Sequence, residues 1–426
     1  MTRHPWPVLP LSDLAEVRLG RQRSPKNHSG LQMRAYLRAA NVGWNGLILD
    51  DVKEMNFTDD EMATYALRPG DLLLGEASGS PGEVGKPALW KGELTECAFQ
   101  NTLLRVRSET MEPDFLLHFF RHQALSGRFV EQSRGVGIHH LGRERLAKWP
   151  TPQPTLQEQR RIVLILEEHL SDLDDGVRSL RKAELRGRAL KRSVLLSLIP
   201  ESREWPARWR TETVSAAGSV ELGRQRHPDW HHGPNMHPYL RVANVFEDRI
   251  DTSDLMEMHW PEDTFDRFKL RPGQILLNEG QSPQYLGRPA MYRGEPAEVA
   301  FTNSLLRFTA GPEVLPEFAL LVFRRHMHAG RFVRESRITT NIAHLSASRL
   351  KTVEFPVPPL TEQERLVDVA SERLEAVARI ESSIQAQRKR ADGLRRAVLA
   401  AAFSGHLTGH GSDNDAISEL AEEESA

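Results

Sequence analysis

Cysteine is almost absent from this chain of 426 residues, in which Cys97 is the only one. A single cysteine excludes an internal disulfide and a zinc site built from several thiolates, which is typical of a reducing, cytoplasmic setting. Long apolar runs are missing too, so the sequence predicts neither a signal peptide nor a membrane span. We therefore expect a soluble, cytoplasmic protein.

A strong net charge of either sign is also missing, since the formal charge is −2. The acids are unevenly placed, because residues 412–426 hold six of them and no base. This segment has almost nothing apolar to bury, which predicts a disordered acidic tail. Leaving its six acids out changes the net charge from −2 to +4, which is only weak support for a polyanionic partner.

The chain contains two copies of one module. Three motifs recur at an offset of 203 residues: Leu-Gly-Arg-Gln-Arg at 19–23 and 222–226, Tyr-Leu-Arg-x-Ala-Asn-Val at 36–42 and 239–245, and Leu-Arg-Pro-Gly at 67–70 and 270–273. A period this long exceeds any solenoid repeat and matches a whole domain with its connection. Two such modules in one chain predict pseudo-twofold symmetry and a partner that itself has two parts.

Each copy begins with a segment rich in glycine, proline and short β-type runs, at 1–155 and 201–358. Strands are expected at 72–74, 103–106, 275–277 and 305–308, and short helices at 113–121 and 316–325, each opened by a proline. These segments are therefore predicted to be mixed α and β domains.

Each copy continues with a long helical pattern, from about residue 157 in the first copy. Apolar residues at alternating spacings of three and four form the expected seam: Val163, Leu166, Leu170, Leu173, Val177 and Leu180, then Val367, Ala370, Leu374, Val377 and Ile384, with Glu381 as a polar break. We expect the two helices to pack antiparallel, with 163–180 and 367–384 as partner stretches. Their basic later turns suit either a partner or a solvated face, and dimerisation alone is the simplest alternative role.

No catalytic or metal-binding pattern is evident. Pro87 stands where a phosphate loop requires Ser or Thr after Gly85-Lys86, and there is no Gly-x-Ser-x-Gly elbow. The absence of an Asn-Pro-Pro-aromatic motif excludes an independent adenine methyltransferase. Neither metal-type histidine spacing nor a paired acid and base is seen in both copies. The sequence therefore predicts binding without catalysis and no metal.

Three segments differ between the copies although their flanks match: 24–29 against 227–232, 76–80 against 279–283, and 135–138 against 338–342. Polar side chains in or next to these segments are candidates for contacts that differ between the two copies: Lys26, Asn27, Ser78, Ser80, His139, Gln281, Ser282, Gln284, Thr339, Thr340 and Asn341. Arginines and glutamines shared by both copies are candidates for contacts common to both: Arg21, Gln22, Arg23, Arg134, Arg224, Gln225, Arg226 and Arg337. Loop drift is the alternative for the first set, and a scaffold salt bridge for the Arg-Gln-Arg motifs.

The chain resembles the specificity subunits of type I restriction–modification systems over nearly its full length. The most specific motifs are Thr-Asn-Ile-Ala-His-Leu at 340–345, the run from Phe355 to Glu364, and Ala-Phe-Ser-Gly-His-Leu at 402–407. Residues 137–141 and 152–159 are a weaker version in the first copy. The resemblance implies an α+β fold: two pseudo-symmetric target-recognition domains joined by two long antiparallel coiled-coil helices.

It also implies how the chain is divided and with what it assembles. The expected segments are recognition domains at 1–155 and 201–358, spacer helices at 156–200 and 359–411, and the tail at 412–426. Each domain would read one half of a bipartite double-stranded DNA site. The candidates from the variable segments would then read base edges, and the shared arginines and glutamines would make DNA contacts common to both copies. The helices would set the spacer and dock two modification subunits, which hold S-adenosylmethionine and methylate adenine, while separate restriction subunits supply translocase and nuclease. This chain would be non-catalytic and would carry no cofactor itself. The alternative is a free-standing two-headed DNA-binding protein, or a scaffold of another defence system.

Overall fold

The computed structural model describes residues 5–131, 139–339, 342–405 and 407. Contacts between residues divide the chain into two units, the first formed by 1–180 with 385–426 and the second by 181–384. Each unit holds one globular part and one half of each long helix, because both long helices pass from one unit into the other. This division cuts across the five segments expected from the sequence, whose boundaries stay predictions.

The globular part of the first unit is built on two small sheets. A four-stranded sheet has the order Glu16–Leu19, Leu103–Arg107, Leu72–Gly75 and Pro87–Leu89, and a three-stranded sheet the order Cys97–Phe99, Met33–Leu37 and Lys53–Asn56. Strand pairs complete it: Val8–Pro10 with Pro150–Pro152, Ala77–Ser78 with His139–His140, and Val42–Gly43 with Gly46–Leu47. The core lies between the four-stranded sheet and helix Pro113–Leu125, whose phenylalanines are buried.

The second unit repeats this plan. Its four-stranded sheet has the order Gly218–Leu222, Leu305–Ala310, Ile275–Asn278 and Pro289–Met291, and its three-stranded sheet the order Met256–His259, Met236–Leu240 and Ala300–Phe301. The smaller sheets are Arg210–Thr213 with Glu354–Val357, Val245–Phe246 with Arg249–Ile250, and Gly280–Gln281, Ile342–His344 and Arg337–Thr339 in that order. The predicted internal duplication is thus visible as the same strand order in both units.

Short helices surround the sheets. In the first unit they are Asp59–Tyr65, Pro113–Leu125, Arg128–Glu131 and Arg143–Ala147, with 3-10 turns at Leu11–Asp13, Pro25–Asn27, Ala39–Asn41 and Pro81–Glu83. In the second they are Val214–Ala217, Glu262–Phe268, Pro316–His328, Arg331–Arg334 and Ala347–Thr352, with 3-10 turns at Ser202–Glu204, Pro228–His231, Val242–Asn244 and Pro283–Tyr285. The two helices predicted from an opening proline begin where expected and extend about one turn further.

One repeated motif, Tyr-Leu-Arg-x-Ala-Asn-Val, serves the fold through its asparagine. Asn41 is 2% exposed, accepts a hydrogen bond from the Arg38 backbone N–H (3.1 Å) and donates one to the Ile48 carbonyl (2.8 Å). Asn244 makes the same bonds to Arg241 (3.0 Å) and Asp251 (3.0 Å). A buried amide that satisfies backbone groups is costly to replace, so the recurrence of this motif is structural.

The first long helix spans Leu156–Leu198 and the second spans Leu360–Ser404. In the first unit Asp174 of the first helix forms an ion pair with Arg395 of the second. In the second unit Gly187 of the first helix lies against the side chain of Glu381. Residue numbers rise along one helix as they fall along the other, so the helices pack antiparallel. The expected α+β fold class is confirmed.

The predicted pairing of the two seam stretches is wrong in one respect. An antiparallel arrangement places 163–180 beside the second half of the other helix, where Leu166 and Leu170 share a core cluster with Val398. Residues 367–384 instead face the later turns of the first helix, where Leu195 shares a cluster with Leu374. The heptad pattern predicts which face of each helix is apolar, but it contains no information on which turns meet.

The seam side chains themselves are all at least half-buried. Six of them are buried: Leu166, Leu170, Ala370, Leu374, Val377 and Ile384. Five are half-buried: Val163, Leu173, Val177, Leu180 and Val367. Burial is weakest in the middle of the helices, where 385–390 are exposed. Contact with the globular parts therefore supplies much of the burial near each helix start.

A buried glutamine fixes the start of each long helix to its globular part. Gln159 is 1% exposed; its Oε1 accepts from the Glu112 backbone N–H (2.8 Å) and its Nε2 donates to the Pro154 carbonyl (2.8 Å). Gln363 repeats this in the second unit, with the Leu315 N–H (2.9 Å) and the Pro358 carbonyl (2.9 Å). Glu112 and Leu315 immediately precede the helices that begin at a proline, so each glutamine joins two helix starts.

We expect Gln159→Ala and Gln363→Ala each to lower the free energy of unfolding by about 1–3 kcal/mol, because each removes buried amide hydrogen bonds and leaves a partly buried backbone N–H without an acceptor. Urea unfolding of the full-length chain measures this. Gln157→Ala is the matched control, since Gln157 is exposed on the same helical turn, and we expect it to change stability little. Equal stability of the Gln159 and Gln157 variants would show that the joint contributes nothing.

Candidate nucleic-acid interface

One end of the four-stranded sheet gathers the repeated polar motifs. Strands Glu16–Leu19 and Leu72–Gly75 both run antiparallel to Leu103–Arg107, so their carboxyl ends lie beside its amino end. Segments 20–23, 76–80 and 100–102 therefore leave the sheet on the same side. The second unit places 223–226, 279–283 and 302–304 in the same way. We call this side the sheet end.

Backbone hydrogen bonds hold these segments together. The Asn101 N–H donates to the Arg21 carbonyl (3.0 Å), and the Glu76 N–H donates to the Thr102 carbonyl (3.0 Å). The equivalent bonds in the second unit join Asn303 to Arg224 (2.9 Å) and Glu279 to Ser304 (3.0 Å). The frame of the sheet end is thus the same in both units, although the side chains on it differ.

A glycine makes this close approach possible. A Cβ added at Gly20 would overlap with the carbonyl oxygen of Gln100, and one at Gly223 with that of Thr302. Only glycine lets the backbone pass so near a neighbouring strand. The glycine of the repeated Leu-Gly-Arg-Gln-Arg motif is therefore needed for the frame of the sheet end.

In the second unit two of the three variable segments meet on this frame; in the first unit residues 135–138 lie outside the described residues, and the strand that follows them contacts 76–80. Strand Ala77–Ser78 pairs with His139–His140, with Ser78 opposite His139. In the second unit Gly280–Gln281 pairs with Ile342–His344, with Gln281 opposite Ala343, and Arg337–Thr339 adds a third strand. Segments far apart in the sequence are thus joined into one small sheet, beside the motif that carries the family resemblance.

The side chains of the candidates for base contacts differ in how far they are exposed. Lys26, Ser80 and Gln284 are exposed, whereas Asn27, Ser78, His139, Gln281 and Ser282 are half-buried. The Ser78 hydroxyl accepts from the Ser80 N–H (3.0 Å), and the Gln281 Oε1 accepts from the Ser282 N–H (3.1 Å). These local bonds fix the loop conformations. Arg134, Thr340 and Asn341 lie outside the described residues, and only the backbone is described at Arg337 and Thr339.

The two arginines of each Arg-Gln-Arg motif have different surroundings. Arg21 donates to the Asn56 carbonyl (2.6 Å) and pairs with Glu61 (2.6 Å). Arg224 lies over the Trp230 ring, 3.8 Å from its centroid, and donates to the His259 carbonyl (2.8 Å). These contacts are those of a scaffold residue. The second arginine of each motif and the glutamine before it are exposed: Gln22, Arg23, Gln225 and Arg226.

The structure contains an acid–histidine pair that the sequence analysis missed. The Nδ1 of His140 donates to the Glu76 carboxylate (3.1 Å), and that of His344 donates to Glu279 (3.3 Å). The expectation that no such pair recurs in both copies is therefore wrong. Glutamate at 76 and 279 and histidine at 140 and 344 recur in the sequence, which is the signal that could have revealed it.

The pair has the properties of a positioning element. Because Nδ1 donates to the carboxylate, the ring orientation is fixed and Nε2 points away from it. Within the described ranges no hydroxyl or thiol forms a hydrogen bond to His140 or His344, so a nucleophile of the kind used in hydrolysis is not seen there. The described residues also contain no group of three or more His, Cys, Asp or Glu arranged to hold a metal ion.

Some charged residues of the long helices form ion pairs within their own unit. Glu247 accepts a hydrogen bond from His328 (3.1 Å) and pairs with Arg324 (3.0 Å) and with Lys191 of the first long helix (2.9 Å). Burial alone would raise the pKa of Glu247, but these partners outweigh it and hold the pKa well below its usual range. Lys191 and Arg395, two members of the basic helical runs, thus act as internal anchors.

Comparison with known proteins gives a consistent result. The chain is 21% identical over 422 residues to the type I restriction enzyme EcoKI specificity subunit of Escherichia coli (strain K12), covering 95% of this chain and 89% of that protein. It is 20% identical over 420 residues to the StySPI specificity subunit of Salmonella potsdam, with the same coverage. No protein-family model matches the chain.

The fold is also found among solved structures. One solved chain superposes on this protein with a TM-score of 0.72, at 18% identity, and the match covers 96% of this chain and 100% of that one. That chain comes from a structure described as the structural basis of complex assembly and conformational transition of the type I R-M system. In the described part of the chain no helix has the length and apolar content needed to cross a membrane. The resemblance of this chain to the specificity subunits of type I restriction–modification systems is confirmed by sequence similarity over nearly its full length and by its fold.

Proposed function

We propose that this protein is the DNA-recognition subunit of a type I restriction–modification complex and catalyses no reaction itself. Each globular part reads one half of a bipartite double-stranded DNA site through its sheet end. The observation that carries the proposal is the sheet end, which has one frame in both units and different polar side chains on that frame. A shared frame with different contacts is what two half-sites of unequal sequence require.

Joining two readers in one chain raises affinity without any new contact. A weakly bound first half-site brings the second reader to a high effective concentration near the adjoining DNA. Both long helices are continuous from one unit to the other, which suits a fixed distance between half-sites better than a flexible linker does. The helices would therefore set the number of base pairs in the spacer.

The helices also offer a surface for partners. Leu164, Leu185 and Ile380 are large apolar residues exposed on them, and an exposed apolar residue on a long helix is suited to a docked subunit. We propose that two modification subunits dock here and bring S-adenosylmethionine, which transfers its methyl group to adenine. Restriction subunits would join that assembly. A free-standing two-headed DNA-binding protein would need none of these partners.

We expect Gln281→Ala to change recognition of one half-site only. Loss of one amide contact to a base should reduce discrimination at one position by about 1–3 kcal/mol. Binding of the full-length protein to a panel of duplexes, each with one base pair changed, measures this. Ser78→Ala is the matched variant in the other unit, and we expect it to act on the other half-site.

Equal weakening of binding to every duplex by Gln281→Ala would contradict the assignment, because a contact that reads a base cannot act equally on all sequences. The structure also requires that the variant keeps its stability, since the Gln281 side chain bonds only to its own loop in the described residues.

We expect removal of one heptad from each long helix to shorten the spacer by about three base pairs. Residues 178–184 and 385–391 lie between the two contacts that pair the helices, Asp174–Arg395 and Gly187–Glu381. Removing seven residues from each keeps the seam in phase and shortens the helices by roughly 10 Å, at about 1.5 Å per residue. At about 3.4 Å per base pair along one strand, this is about three base pairs. Selection of bound duplexes from a pool with every spacer length measures the change.

Removing 178–184 alone is the control, and we expect it to break the seam and lower the free energy of unfolding. Assembly with the modification subunits is measured separately by sedimentation, because the same helices would dock them. A paired variant that assembles normally and still selects the original spacer would show that the helices do not determine it.

A further inference from the structure

One repeated polar residue at the sheet end has a side chain for which the contacts of the described residues reveal no structural role. Asn101 and Asn303 lie in the shared sequence Ala-Phe-x-Asn-Thr/Ser-Leu-Leu-Arg, at 98–105 and 300–307. Both side chains are half-buried. Within the described ranges no hydrogen bond to another residue satisfies either side-chain amide. Their neighbours Thr102 and Ser304, by contrast, accept backbone hydrogen bonds from Ala39 (3.0 Å) and Val242 (3.1 Å).

The backbone beneath each asparagine is firmly held. The Leu103 N–H donates to the Gln100 carbonyl (2.9 Å) and the Leu305 N–H to the Thr302 carbonyl (2.9 Å), which closes a tight turn around Asn101 and around Asn303. The bonds to Arg21 and Arg224 tie each turn to the Arg-Gln-Arg segment. Such a turn fixes the point at which the side chain leaves the backbone, so no backbone ordering is needed when its amide binds a ligand.

The asparagine is also placed between the other candidates. Its turn connects the Arg-Gln-Arg segment on one side to Glu76 or Glu279 on the other, through the backbone bonds of Glu76 to Thr102 and of Glu279 to Ser304. The exposed Arg23 and Arg226 belong to one flank, and the acid–histidine pair to the other. An unused amide therefore lies in the middle of the surface that we propose to face DNA.

We infer that Asn101 and Asn303 hold the sugar–phosphate backbone of DNA in both half-sites, an inference that rests on the proposed function. Two heads that read different sequences have only the backbone as a certain common ligand. A residue that is identical in type and setting in both heads is therefore matched to the backbone. Segments that read bases are instead those that differ, such as 76–80 against 279–283.

The chemistry of the contact distinguishes it from that of arginine. The side-chain NH2 of asparagine donates to a phosphate oxygen but brings no charge, so it displaces no counterion. Loss of the asparagine should therefore lower affinity without changing the salt dependence of binding. Loss of Arg23, an exposed cation in the same unit, should lower affinity and reduce the slope by about one phosphate's worth.

The experiment compares binding of the full-length protein to its bipartite site and to a scrambled duplex, over a series of salt concentrations. We expect Asn101→Ala and Asn303→Ala each to weaken both complexes by the same factor, roughly tenfold or more, because the hydrogen bond would go to a charged phosphate oxygen. The salt slope should equal that of wild type. Asn101→Asp, which places a carboxylate beside a phosphate, should weaken both complexes further.

Gln157→Glu is the control for added negative charge, because Gln157 is exposed at the start of the first long helix, and urea unfolding checks that the variants are folded. A loss of affinity confined to the bipartite site, or to one base pair within it, would overturn the inference and show that the asparagine contacts a base. Unchanged binding by folded alanine variants would also overturn it. If the wild-type protein binds no two-part duplex more tightly than a scrambled one, the proposed function itself is overturned. That result differs from the two outcomes that overturn only the role of the asparagines.

Discussion

The joint between each long helix and its globular part is the constraint on which the proposed bipartite reading depends. Gln159 and Gln363 are buried where the polypeptide leaves the sheet region and enters the helix, and each satisfies a backbone N–H and a carbonyl of its own unit. A half-site can be read at a defined distance only if its reader is fixed to the helix that sets that distance. Two hydrogen bonds through one amide define the direction in which the helix starts.

The duplicated chain separates residues that build the frame from residues that use it. Asn41, Asn244, Gly20 and Gly223 recur because their backbone contacts leave no alternative. Arg21 and Arg224 recur for a related reason, although one uses a carboxylate and the other an aromatic ring. Recurrence alone therefore does not identify a DNA contact. We infer one only where, as at Asn101 and Asn303, the side chain has no hydrogen-bond partner in the described part of its own unit.

Local signals in the sequence predicted much of the fold. Proline at a first helical turn located Pro113–Leu125 and Pro316–His328, and apolar spacing located the long helices and their buried faces. The prediction that 163–180 packs against 367–384 was wrong, because heptad spacing is the same whichever helical turns face each other. The His140–Glu76 and His344–Glu279 pairs were missed because they join residues more than sixty positions apart. Such contacts follow from strand pairing, which no local pattern encodes.

We propose that this chain alone determines which two-part sequence the complex modifies. The decisive measurement is sequencing that detects N6-methyladenine in two hosts. One host carries the system with the wild-type protein, and the other carries it with a chimera whose residues 201–358 come from a relative of different specificity. We expect the chimera to replace one half of the methylated motif and to keep the other half and the spacer length. Methylation of the original motif by an assembled chimera, or loss of both halves together, would contradict it.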